Sequence, residues 1–175
     1  MNVLEHLEPK SVFRFFEEMC AIPHGSRNTK AVSDWCADFA RARGLEYHQD
    51  GDNNIIIIKE AAPGYEAAPP VILQGHLDMV CEQTADCQKD MSREGLDLAV
   101  DGDFVYAKGT TLGGDDGIAV AMALALLDAE GLPHPRLEAV FTVDEEIGLL
   151  GAASIDVTPL KGRQMLKLDS EAEGI

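Results

Sequence analysis

Residues 71–78 read VILQGHLD, a short apolar strand that runs directly into a glycine, His76, Leu77 and Asp78. Two later segments share this plan: LEAVFT at 137–142 leads into Asp144, Glu145 and Glu146, and MLKL at 165–168 leads into Asp169. Apolar runs of this length, bounded by polar turn residues, predict strands buried in a sheet. In open α/β sheets, ligands bind in the crevice beyond the carboxyl ends of the strands, so these three polar endings are expected to meet at one rim.

The intervening segments supply the other layers. Residues 10–21 place Val12, Phe13, Phe16, Met19 and Cys20 on one side at helical spacing, and Ile22-Pro23 ends the helix. A second helix, capped by Asn28 or Thr29, presents Val32, Trp35, Cys36 and Phe39 and stops at Gly44. Residues 45–49 and the four-isoleucine run 55–58 flank the turn signal DGDN and predict neighbouring strands. Residues 61–70 form an Ala- and Pro-rich loop, and 98–100 with 104–107 predict a hairpin about Asp101-Gly102-Asp103. GIAVAMALALLD at 117–128 is apolar almost all round and predicts a buried helix, stopped by Gly131 and Pro133. Strands alternating with helices predict a three-layer α/β/α domain around a central, largely parallel or mixed sheet.

His76, Asp78, Glu145, Glu146 and Asp169 are therefore candidates for one site. A fourth contributor is GTTLGGDDGI at 109–118, which sets Asp115 and Asp116 at the positive end of the buried helix, where a carboxylate stays ionised. Each piece alone has a plain structural explanation: a turn aspartate beside a histidine, an N-cap with a first-turn acid, a solvated acidic loop, a strand-end turn residue. Together, at the ends of strands and the start of a helix, they match what divalent cations require. The imidazole and carboxylates are ligands, Asp78 can orient the His76 ring, and of two adjacent glutamates one can ligate while the other accepts a proton.

Bulk properties bound the alternatives. The 175 residues and 46% hydrophobic composition suit a single core. With 14 Lys and Arg against 31 Asp and Glu, a net charge of −17 argues against nucleic-acid and anionic-membrane partners. No apolar run is long enough to span a bilayer, the first ten residues carry no export signal, and Cys20, Cys36, Cys81 and Cys87 show no CxxC spacing. These features lead to the expectation of a soluble, cytoplasmic protein with reduced thiols.

The segments LQGHLDMV, KGTTLGGDDGI, TVDEEIGLLGA and LDSEAEG resemble the motifs of the aminoacylase and carboxypeptidase superfamily of dinuclear metallopeptidases, and are most similar to its Xaa-His dipeptidase branch. The resemblance implies a zinc-exopeptidase-like fold holding two zinc ions, with manganese or cobalt as possible substitutes. His76 and Asp169 would bind one ion, Asp115 bridge both and Glu146 bind the other, with Glu145 as general base and Asp78 behind His76. Asp116 is assigned no ligand role. The implied substrate is a small peptide, a dipeptide of the β-alanyl-histidine type, and the implied assembly is a homodimer through a lid domain. The lid and a further histidine ligand have no counterpart among the 175 residues, so the chain is expected to be the N-terminal portion of the catalytic domain, inactive by itself. Other readings are a tripeptide aminopeptidase, an N-acyl amino-acid hydrolase, or a non-catalytic metal-binding or interaction fragment.

Overall fold

The computed structural model describes residues 3–169. Helices α1 (Lys10–Cys20) and α2 (Lys30–Ala42) precede strands β1 (Glu46–Gln49), β2 (Ile55–Lys59) and β3 (Val71–His76). The hairpin β4 (Leu98–Asp101) and β5 (Phe104–Ala107) leads to helix α3 (Gly114–Asp128), then β6 (Leu137–Thr142), α4 (Leu150–Ser154) and β7 (Gln164–Lys167). The end of the LDSEAEG segment, 170–174, lies outside the described residues.

The central sheet runs β1-β2-β6-β3-β7 and is mixed. Strand β3 is parallel to β6 and β7, whereas β2 is antiparallel to β1 and β6. Val71 pairs with Leu137 and His76 with Thr142, so β3 and β6 finish level with each other at one rim. This register puts the residues after both strands within reach of one another.

All four isoleucines of β2 are buried, which explains a run with no polar alternation. Ile55 and Ile57 join Leu73, Ala139 and Phe141 beneath α1, α2 and α3. Ile56, Ile58 and Val140 face the other way, onto Ile155 and Leu160 just beyond α4. The short α4 carries too little periodic sequence to have been anticipated.

The helices depart from their expected faces where they meet more than one neighbour. Phe15, not Phe13, is fully buried in α1, because α1 packs against α3 while Phe15 also meets the ring of Phe39 edge-on, with centroids 5.4 Å apart. Trp35 is only half-buried. Thr29 precedes α2 but makes no side-chain capping bond. In α3, Met122 and Leu126 are exposed at 40% and 37%, because α1, β3 and β6 cover the other sides and leave this i, i+4 ridge outward. Strand β7, at the edge of the sheet, is exposed along its whole length, including Met165 and Leu166. The four cysteines are free, with Cys20 and Cys36 buried.

At the far end of the sheet from the candidate site, buried Glu138 accepts hydrogen bonds from Arg136 Nε at 2.7 Å and from the Lys161 and Gly162 amides, both at 2.9 Å. Burial alone would raise its pKa, but these donors hold the carboxyl below its ordinary value. Glu138→Ala would leave Arg136 Nε and two amides without their acceptor while Glu60 still pairs with the guanidinium, at an expected cost of about 2–4 kcal/mol. Urea denaturation at neutral pH measures that loss; a change below about 1 kcal/mol would show that water replaces the carboxylate.

Candidate metal centre

His76 is the last residue of β3, and its side chain is 1% exposed. Its Nδ1 lies 2.9 Å from the backbone carbonyl oxygen of Asp78. A carbonyl only accepts, so Nδ1 carries the hydrogen and the Nε2 lone pair is free to bind a cation. Nε2 lies 3.2 Å from Asp115 Oδ1 and 3.9 Å from Glu145 Oε2.

The expected contact between the Asp78 carboxylate and the His76 ring is a lesser one, at 3.5 Å. Strand β3 ends at His76, so the alternation that would align the two side chains stops there and the backbone turns back to the ring instead. The carboxylate makes other bonds. Oδ1 accepts from the Glu145 amide at 3.0 Å, and Oδ2 accepts from the Glu146 amide at 3.4 Å and the Ser26 hydroxyl at 2.8 Å. Asp78 thus fastens the β3 tip to both glutamates and to the loop before α2. That loop is tied twice more: Met79 N–H donates to the His24 carbonyl at 3.1 Å, and Arg27 N–H donates to Asp144 Oδ1 at 2.6 Å.

The α3 end is shaped by backbone constraint. Gly113 has φ of +69°, a left-handed conformation that favours glycine, and the helix proper starts at Gly117 because Asp115 and Asp116 are non-helical. The peptide between the two aspartates is cis. They point to different surroundings: the Asp115 side chain is 68% exposed, whereas Asp116 is 2% exposed and accepts from the His76 amide at 3.3 Å. A Cβ on Gly75 would lie 3.0 Å from Asp116 Oδ2 and 3.3 Å from Val120, so glycine lets α3 come this close to β3.

Ligand atoms of His76, Asp115 and Glu146 lie within 4.8 Å of one another, the kind of set a divalent cation draws together. Asp169 is not in that set; its Oδ2 lies 3.2 Å from Lys167 Nζ. It is nonetheless close enough to act on Asp116, whose carboxyl is pushed up to about 7 by burial and by the charges of Asp169 and Asp115. Burial and the neighbouring Asp115, Glu145 and Asp78 carboxylates likewise raise Glu146. Burial opposes protonation of His76, but its bond to Asp78 and the charges of Asp78 and Asp116 prevail and raise it to about 9. His76, Asp116 and Glu146 are thus biased towards holding a proton, as expected where surplus negative charge gathers that a bound cation would neutralise. The donor set fits a metal.

Ser26 and His24 were not singled out from the sequence. Neither carries a periodic or motif signal; they join the site only through contacts about 50 residues away in the chain, at Asp78 and Met79. A groove of about 720 Å³ lies elsewhere, between Lys59, Leu127 and His134, and none of the candidate residues lines it. A groove of about 470 Å³ adjoins Glu146.

The chain is 37% identical over 174 residues to the cytosol non-specific dipeptidase of Escherichia coli K12, covering 99% of this chain and 36% of that protein. Its structure superposes on the aminoacylhistidine dipeptidase of Vibrio alginolyticus with a TM-score of 0.93 and 37% identity, over 98% of this chain and 35% of that one. A Staphylococcus aureus tripeptidase shares the fold, with a TM-score of 0.77 at 22% identity over 93% of this chain and 44% of that one. The chain therefore spans about a third of the length of its curated dipeptidase relative. A profile of peptidase family M20/M25/M40 matches residues 72–168, the stretch that runs from β3 to just beyond β7 and carries His76, both aspartates of α3 and both glutamates after β6; the chain belongs to that family.

Proposed function

We propose that this chain is the N-terminal portion of the catalytic domain of a cytoplasmic, zinc-dependent dipeptidase acting on Xaa-His substrates of the β-alanyl-histidine type. The observation that carries this reading is the convergence of His76, Asp115 and Glu146 ligand atoms within 4.8 Å, with Glu145 beside them. Similarity to a dipeptidase and to an aminoacylhistidine dipeptidase supports the substrate class.

In this proposal His76, Asp115, Glu146 and Asp169 would together hold two zinc ions. Bound there, the ions would polarise the scissile carbonyl and make a water molecule more acidic. Glu145 accepts the proton of the attacking water and delivers it to the leaving amine, while Asp78 keeps both glutamates and the His76 ring in place through its amide and carbonyl bonds. Since the chain covers about a third of its dipeptidase relative, the proposal assigns a lid for substrate binding and dimerisation, and a further histidine ligand, to the remainder of a longer protein.

The test is metal content together with hydrolysis of β-alanyl-histidine by that longer protein. Two zinc ions per chain with histidine release are expected. Histidine release that persists in the fully metal-stripped protein would overturn the metal-dependent reading, and cleavage of tripeptides or N-acyl amino acids in preference to Xaa-His would overturn the specificity.

A further inference from the structure

Beside Glu146 runs a groove of about 470 Å³ whose walls are mainly Met79, Val80, Cys81, Met91 and Ile147. Its lining is apolar apart from Ser26, Asn28, Ser92 and Glu146, and no lysine or arginine contributes to it. Val80 and Ile147 are 43% and 41% exposed, so two aliphatic side chains stand open at the edge of a polar site. Met79, by contrast, is buried and fixed at the floor, where its amide is bonded to the His24 carbonyl. Exposed aliphatics next to a cluster of ionisable groups imply a surface that something apolar covers during function.

We infer that this groove is the subsite for the side chain of the N-terminal residue of the dipeptide, and that it selects a neutral aliphatic or thioether side chain. The inference rests on the proposed peptidase reading and extends it to a substrate preference. Glu146 lines the groove and is also one of the three convergent ligand residues, so the groove is continuous with the place where the peptide bond would sit. Orientation follows from the adjacent glutamate. Glu145, 3.9 Å from His76 Nε2, does not line the groove, and the proton it accepts must reach the leaving nitrogen, so the C-terminal residue belongs on the Glu145 side, away from the groove. The acyl residue then falls on the Glu146 flank, against the groove. The unbranched thioether of half-buried Met91 gives a wall that adapts to side chains of different shape, as methionine-rich surfaces do. An acidic side chain would enter beside the Glu146 carboxylate without any compensating cation, and is disfavoured.

Two measurements test this, with Leu-His, Ala-His and Asp-His as probes. In the longer protein, Met91→Ala should lower the ratio of kcat/KM for Leu-His over Ala-His by about 10-fold, the lower end of what one to a few methylene contacts supply in an apolar pocket. Met91→Lys should shift the preference towards Asp-His. Peptide cleavage with both ratios unmoved overturns the groove assignment and leaves the peptidase reading standing. Cleavage of β-alanyl-histidine alone also overturns the groove assignment, whereas failure of the unsubstituted protein to cleave it or any of the three sinks the peptidase reading instead. In that case methyl NMR of the full 175-residue chain, loaded with zinc, decides the groove by itself. Leu-His should shift the Met79 and Met91 methyl resonances saturably and Asp-His should not; no shift, or equal shifts with both, overturns it.

Discussion

Glu145→Gln in the longer protein is expected to lower dipeptide turnover by about 10²–10⁴-fold while the metal content stays unchanged. The substitution keeps the side-chain length and removes only the ability to accept a proton. Its backbone amide, bonded to Asp78 Oδ1 at 3.0 Å, is untouched, so the loop and the adjacent Glu146 should hold their positions. Glutamine cannot relay a proton from water to the leaving amine, so the loss should fall mainly on kcat rather than KM. Steady-state kinetics with metal analysis on the same preparation separates the possibilities. A turnover within a few-fold of the parent would remove Glu145 from the base role, and lost metal would mean that Glu145 is itself a ligand.

His76→Ala should have a comparably large but different effect: loss of one of the two zinc ions, with activity falling as a consequence. His76 is the only imidazole that meets Asp115 and Glu146 in the three-residue set, and its Nδ1–H is already fixed by the Asp78 carbonyl. Removing even a partner that orients a ligand typically costs about 10–100-fold in metal affinity, and removing the ligand should exceed that. Elemental analysis after dialysis against a weak chelator measures the stoichiometry. Full occupancy would exclude His76 from the ligand set, and loss of both ions would show that the two positions fill cooperatively.

The strands and helices were legible because each carries its period plainly. The four isoleucines of β2, the LEAVFT run of β6 and the near-continuous apolar α3 leave few alternatives. Strand order was less so: nothing in the local pattern says that β6 inserts between β2 and β3, since this depends on which apolar faces fit together over long separations. The rule about strand ends grouped His76 with Glu146, the glycine-rich run at the start of α3 added Asp115, and the structure brings these three together. Their proposed roles came from resemblance to a family rather than from spacing. What pattern reading missed was support. Ser26 reaches Asp78 from a loop without periodicity, and Asp78 itself works mostly through amides that no side-chain motif can reveal.

The parallel alignment of β3 with β6 has a consequence for the order of events in the life of the chain. His76 and Glu146 are separated by the hairpin and the whole of α3, so their meeting requires closing a loop of about 70 residues. A nascent polypeptide offers a cation only scattered acids until the sixth strand slots in beside the third. On the proposed reading, ion capture would then be a late event that reports a finished sheet, and a metal would act as a lock on the folded state rather than a template for reaching it.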